Sequence, residues 1–427
     1  MEKLMQYVWQ HRLYASDDMV TNDGRRVRVI DTGMLNTDAG PDFFNAKVEI
    51  DGRLWAGNVE MHVRASDWRR HGHDSNRAYD SVILHVVEKD DAPVYRTNGE
   101  RIPQVVLQCN RDFNLSYNRL MEAKTELPCA EAIPQMPPLL ITEWVESLAF
   151  ERLHHKVDRL AELCEMYHGS WEDVCYVTLA RNLGFGINND AFERLARCTP
   201  LRLLHKHSDS LLQIEAMLFG QAGMLSAENH RDDSYYQQLC REYAFLANKF
   251  SLRPIESHSW KLARMRPQNF PYRRIALLAH YIVGGFNLFA DILAAADEAE
   301  LRQLFSVKLS GYWANHFTFG KESTSDVRAM SDRSIDIILI NTVAPLLYAR
   351  GELVHDYQFT DRAVALLEGL KPENNSIVQQ FAHAGIKCRD ALTSQALIEL
   401  RREYCEARKC IYCKIGHRLL SKAARKQ

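Results

Sequence analysis

The spacing of apolar residues changes along this chain, and the change divides it. In the first third they come in short, β-branched runs. Residues 27–30 and 46–50 read as strands, and Asp51-Gly52 is a tight-turn pair leading into a third strand over 54–63. Residues 80–87, with five of eight apolar, predict a buried strand. Residues 94–96 and 102–107 predict a hairpin around Asn98-Gly99. Residues 1–14 fit a short amphipathic helix, and 65–70 a helical turn opened by Ser66 or Asp67 as its cap.

Past a proline-bearing stretch the period becomes three to four. Val145, Leu148, Ala149, Leu153 and Val157 share one helical stripe, and so do Ile275, Leu278, Ala279, Ile282 and Val283. Residues 335–347 and 391–404 also predict helices, and no repeat emerges. The expectation is an α+β protein: a small mixed α/β domain over 1–127, a linker over 128–140, and a large all-α domain over 141–427.

Composition narrows this only slightly. The 427 residues are 46% hydrophobic and 25% charged, enough for a substantial core without metal or disulfide. The net charge of −2 excludes a globally basic nucleic-acid binder, so any phosphate-binding surface must be local. The pattern offers no apolar run of about 18 residues, and the start lacks a signal peptide's apolar core. A cytoplasmic protein without a membrane partner is expected, its ten cysteines serving as thiols or metal ligands rather than disulfides.

The densest candidate chemistry lies where two predicted strands meet. Gly40-Pro41-Asp42 precedes one strand, and, with seventeen residues between Asp42 and Glu60, Glu60, His62 and Arg64 alternate along the next, on one face. If the strands pair, Asp42 and Glu60 can share Mg²⁺ or Mn²⁺ with waters and phosphate oxygens. Such an ion would activate water for phosphodiester hydrolysis.

This arrangement resembles the restriction-endonuclease-like superfamily of nucleases, whose signature is Pro-Asp followed by Asp or Glu, any residue, and Lys. The resemblance spans roughly residues 1–110 and implies a nuclease-like α/β fold with Asp42 and Glu60 as metal ligands. It puts His62 where the water-positioning lysine belongs, and Glu2 where an optional helical acid stands. His62 departs from that pattern, because imidazole is not a fixed cation near neutral pH. Arg64 is the candidate to replace the charge.

His71-Gly72-His73-Asp74 supplies further possible ligands, or a plain polar loop. His85, inside an apolar strand, reads first as a hydrogen-bonded core histidine. The wider pattern, Gly-Asn-Val-Glu-Met-His-Val, then Ser-Asp-Trp, His-Gly-His and Val-Ile-Leu-His-Val-Val, is similar to a bacterial family of unknown function (domain of unknown function 2851). That resemblance extends over nearly the whole chain, carboxyl-terminal cysteines included, and implies no activity.

Cys405, Cys410, Cys413 and His417 have a spacing suited to a tetrahedral zinc ion, with Cys388 as an alternative fourth ligand. An iron–sulfur cluster is the other metal reading, and reduced thiols on a helix and its turn the non-metal one. Residues 401–427 carry nine Lys or Arg against two Glu, either a phosphate-binding tail or a solvated terminus. Lys261, Arg264, Arg266, Arg273 and Arg274, without acids and beside aromatics, suggest phosphate contact, or packing against acidic helices. Gly184-Phe185-Gly186 lacks the lysine and preceding strand of a phosphate loop. The expected function is therefore Mg- or Mn-dependent cleavage of nucleic acid. The alternatives are a non-catalytic nucleic-acid binder on a decayed nuclease core, a hydrolase of another substrate class with metal at His71, His73 and Asp42, and a structural or interaction protein.

Overall fold

The computed structural model describes all residues except 1, 15–18, 110, 227, 264, 266–268, 324–328 and 425–427. The fold is α+β, with a sheet in the amino-terminal region and helices dominating the rest. Its contacts divide it into two compact units. The first comprises Met1–Trp144, Gln380–Ile386 and Leu400–Gln427, and the second Val145–Gln379 and Lys387–Glu399.

The first unit opens with helix α1 (Glu2–Gln10), whose Tyr7, Val8 and Trp9 are buried. A seven-stranded sheet follows: β1 (Met19–Val20), β2 (Arg26–Asp31), β3 (Met34–Leu35), β4 (Phe43–Ile50), β5 (Arg53–Arg64), β6 (Val82–Lys89) and β7 (Gln104–Val106). The order is β1-β2-β4-β5-β6-β7, with β3 on β4. The pairings from β1 through β5 are antiparallel, whereas β6 runs parallel to both β5 and β7. A parallel pair needs a crossover rather than a hairpin. Here it is helix α2 (Asp67–Arg70) and two 3-10 turns, His73–Ser75 and Arg77–Tyr79. The expected strands recur within a few residues of their predicted limits. The second arm of the expected 94–107 hairpin instead becomes β7, while Tyr95 and Arg101 keep one antiparallel bridge.

Alternation along β5 decides which side chains meet the site. Val59 and Met61 enter a core with Trp9, Phe43, Val48, Leu84, Val86 and Phe113. Glu60 and His62 therefore point to the other face, where Trp68, Val82, Val94 and Ile102 form a smaller buried cluster. Helix α3 (Arg111–Glu122) adds Phe113 and Leu120 to the larger core, and Leu420 of the terminal helix Lys414–Ala424 joins them. The pattern placed this cysteine-bearing end with the helical part. Periodicity identifies a helix but not which core receives it, and Leu420 is fully buried in the first unit's core.

Among the described residues, the regular elements of the second unit are helices, apart from a small pairing of His316–Thr318 with Lys321–Glu322 and one bridge between Lys308 and Ala329. Ser170, Ser210 and Asp233 cap helices Trp171–Leu183, Leu211–Gln221 and Ser234–Phe250 by accepting from backbone N–H groups three residues on. Glu193 holds three guanidinium groups, those of Arg159, Arg181 and Arg197. Contrary to the reading that no apolar run is long enough, the helical stretch Asp332–Val354 could cross a membrane by length and composition, but 67% of its most apolar window is buried inside the protein.

Candidate functional site

Four segments of the first unit build the site. Asp42 immediately precedes β4, which is why its carboxylate reaches β5: one oxygen accepts from the Met61 N–H at 2.9 Å and the other from Gln6 on α1, also at 2.9 Å. In return the Asp42 N–H donates to Glu60 Oε2 at 3.0 Å. The Asp42 backbone thus joins the Glu60 carboxylate, and the Glu60 charge reaches the Asp42 side chain. Burial, and then the neighbouring Glu60 charge, push the Asp42 carboxyl up to about 7.

The other Glu60 oxygen faces imidazoles. Oε1 lies 3.6 Å from His62 Nε2 and 3.3 Å from His73 Nε2. His62 Nε2 is 3.1 Å from His71 Nδ1. One ligand atom from each of His62, His71 and His73 falls within 4.8 Å of the others. Gly72 makes this possible from a short loop. Its φ of +75°, a left-handed conformation that glycine adopts without strain, turns the chain between α2 and the next 3-10 turn and lets the histidines on either side fold back.

Aromatic packing holds the rings. His73 stacks on Tyr79 at 3.7 Å between centroids, and Trp68 meets His62, His73 and His85 edge-on. Trp68 is itself pinned by its indole N–H to the Tyr95 carbonyl. His62 and His73 are buried and His71 is exposed, so the group has a solvent side. Burial, aided by the charges of His73 and His71, drives His62 down to about 3, so its ring is neutral and able to ligate. His85 is fully buried, with Nε2 2.8 Å from His62 Nδ1. Its apolar strand context gave no sign of that contact. The parallel pairing of β5 with β6 supplies it.

The remaining candidates are placed as follows. Glu2 sits in the first turn of α1, close enough for its charge to act on Asp42. Arg64 is exposed at the end of β5, and its backbone N–H, not its guanidinium, bonds the neighbouring Asp67. Arg264 and Arg266 lie outside the described residues. Arg273 and Arg274 are each only 3% exposed. Arg273 donates to the Trp313 and His316 carbonyls, and Arg274 donates to Asn269 and lies 4.2 Å from the Phe185 ring centroid. These two cations are packing elements of the helical unit, and phosphate has no access to them. His417 is occupied by the Tyr7 hydroxyl at 2.6 Å and by Ser421 at 3.2 Å. Cys388 belongs to the second unit, where its thiol donates to the Asp390 carbonyl.

Three imidazoles, with the Glu60 carboxylate beside two of them, suit a borderline metal ion such as zinc better than magnesium, which prefers oxygen alone. A family model described as a protein of unknown function matches residues 2–376 of the chain and so ends before the carboxyl-terminal cysteines. No curated protein and no solved structure matches it.

Proposed function

The chain belongs to that family, DUF2851, which lends no activity, and we propose from the site alone that the first unit is a metal-dependent hydrolase of nucleic-acid phosphodiesters. The observation that carries the proposal is the convergence of His62, His71 and His73 ligand atoms within 4.8 Å, with Glu60 Oε1 at 3.3 Å from one of them and 3.6 Å from another. These four residues would hold the ion. When bound, it would supply charge to neutralise phosphate and lower the pKa of water.

The chain's own groups do the rest. Asp42, with its carboxyl poised about 7 beside the ion's carboxylate ligand, takes the proton of the attacking water. The Met61 N–H and the Gln6 amide fix that carboxylate in place. Arg64, Arg69, Arg70 and Arg77, all exposed on the segment that carries the histidines, offer local positive charge to a polyanion despite the net charge of −2. The hydrogen bond from the Asp42 N–H, just before β4, to Glu60 on the antiparallel neighbour β5 supports the nuclease-like reading, while His62 serves as a ligand in place of a lysine's fixed charge.

The test is cleavage of labelled single- and double-stranded DNA and RNA by the full chain with Zn²⁺, Mn²⁺, Mg²⁺ or chelator. Metal-dependent cutting, absent in Asp42→Asn and His73→Ala, is expected. If no substrate is cut while the protein is folded and metal-loaded, the phosphodiester assignment is wrong. The imidazole-rich donor set favours one second reading, a zinc hydrolase of another bond class. Metal binding without any nucleic-acid affinity would select it.

A further inference from the structure

Within the first unit, α1 and the terminal helix Lys414–Ala424 line one pocket of about 830 Å³. Small-molecule sites span about 300–1,000 Å³. Lys3, Gln6, Tyr7 and Gln10 line it from α1, at the three-and-four spacing that gathers side chains on one helix face. Lys414, His417, Arg418 and Ser421 repeat that spacing on the terminal helix. Each helix thus turns one whole polar face to the cavity. Among the described residues, no three of Cys405, Cys410, Cys413 and His417 bring ligand atoms within 4.8 Å of one another. His417 instead belongs to this pocket's wall.

The lining is cationic. Lys3, Lys414 and Arg418 are exposed at it, against one acid, Glu143. Among the described residues no acid pairs with any of the three, and Lys414 lies 5.7 Å from the Trp144 ring centroid. Leu139 and Leu140 stand in the first turn of helix Pro138–Met166, and Lys414 opens the terminal helix, so two positive helix ends add to the side-chain charge. That combination selects an anion.

The walls select the rest of the ligand. Tyr412, 52% exposed, and Leu139, 68% exposed, leave large apolar surfaces uncovered at the pocket. The His11 ring centroid is 4.6 Å from those of both Tyr7 and His417. His417 is held in place by the Tyr7 hydroxyl, 2.6 Å from Nδ1, and by Ser421 Oγ, 3.2 Å from Nε2. Fixed rings of this kind suit a flat base, which stacks, better than an alkyl chain. The Gln6 and Gln10 amides each offer a donor and an acceptor to a base edge. Gln6 also donates to Asp42 at 2.9 Å, so the pocket adjoins the carboxylate assigned above to the attacking water.

We propose that this pocket binds a 5′-phosphorylated nucleotide, its base against the rings and its phosphate on Lys3, Lys414 and Arg418. The choice of a nucleotide rests on the phosphodiester reading of the neighbouring site, but binding itself requires no cleavage. A free mononucleotide and the 5′-phosphorylated end of a strand share this chemistry.

The experiment is calorimetric titration of the full chain, with chelator present so that nothing is cut. The probes are the four nucleoside 5′-monophosphates, the matching nucleosides, a 5′-phosphorylated tetranucleotide and dodecanoate. Arg418→Ala and Tyr412→Ala are compared with Arg402→Ala, which removes an exposed cation of the same terminal segment outside the pocket. At least one monophosphate should bind, and about tenfold or more tighter than its nucleoside. Arg418→Ala should weaken it about tenfold, as loss of a charged hydrogen bond does. Tyr412→Ala should weaken it at least about fivefold, the lower end for a stacking ring. Arg402→Ala should bind as the wild type does. A tetranucleotide that binds tighter than every mononucleotide identifies the strand end, and equal affinity identifies the free nucleotide; either supports the site. Failure of all phosphorylated probes at millimolar concentration overturns the proposal, and so does dodecanoate binding tighter than any nucleotide. Equal nucleotide affinity in Arg418→Ala and Arg402→Ala overturns its location. Metal-dependent cleavage by a protein that binds no nucleotide here would sink this inference alone, whereas nucleotide binding without cleavage would sink only the hydrolase.

Discussion

His62 Nδ1 lies 2.8 Å from Nε2 of His85, a fully buried ring whose own Nδ1 has no partner. Burial holds both rings neutral, so each carries one proton. If His62 is to offer the Nε2 lone pair to a metal, its proton must sit on Nδ1 and be donated to His85. The orphaned Nδ1–H of His85 is then what this tautomer costs. His85→Phe removes the acceptor while keeping an apolar ring. Metal affinity at the histidine site should fall about 10- to 100-fold, the range for losing such a supporting partner. Calorimetric titration of the folded variant checks this, and an unchanged affinity would show that His85 is only a core residue.

Metal should also stabilise the first unit. A ligand bound only by the folded state adds about 2.7 kcal/mol at a hundred times its dissociation constant. Mn²⁺ is the probe of choice because it competes poorly for thiolates. The melting temperature of the wild type should rise with Mn²⁺, whereas that of His73→Ala should not. His73 is buried against Tyr79, so the variant's metal-free melting temperature will also drop. A Mn²⁺-dependent rise of equal size in both proteins would remove His73 from the ligand set.

The neighbourhood of Asp42 and Glu60 was legible because Glu60 stands on a clear strand, where a period of two fixes its face, and Asp42 immediately precedes the neighbouring one. His71 and His73 were visible as candidates, but only the left-handed turn at Gly72 and the strand pairing bring them to His62. Spacing along the chain also does not show that Cys129, in what read as a linker, packs against the same core as Cys410 and Leu420. The basic patch misled for the opposite reason. Charge alone does not reveal that Arg273 and Arg274 satisfy carbonyls and an aromatic ring inside a helical core.

That packing makes a prediction of its own. Arg274 is buried, donates to Asn269 and lies over Phe185, and burial lowers its guanidinium to about 10. Arg274→Ala would leave a cavity and unpaired neighbours, and should destabilise the protein by roughly 2–4 kcal/mol, as large buried truncations do. Nucleic-acid affinity and its salt dependence should be unaltered under conditions where the variant is folded. A phosphate contact would instead reduce the salt slope by about one with little loss of stability. Denaturant unfolding and salt-dependent binding, measured on one preparation, separate the two.

Glu215 gives a pH test that is independent of the histidine site. It is 3% exposed in helix Leu211–Gln221, and burial pushes its carboxyl up to about 7, although the Tyr235 hydroxyl donates to it at 2.6 Å. Its ordinary value is 4.5, so the unfolded chain ionises first as pH rises. This residue's contribution to stability is therefore complete below about 4.5, lost progressively up to about 7, and constant above. Taken whole, the shift corresponds to roughly 3 kcal/mol. Glu215→Gln keeps an acceptor for Tyr235 and cannot ionise. It should match the wild type near pH 4.5 and exceed it by most of that amount at pH 8. Denaturant midpoints of both proteins across this range check it, and a difference that does not change with pH would mean that Glu215 is solvated in the folded state.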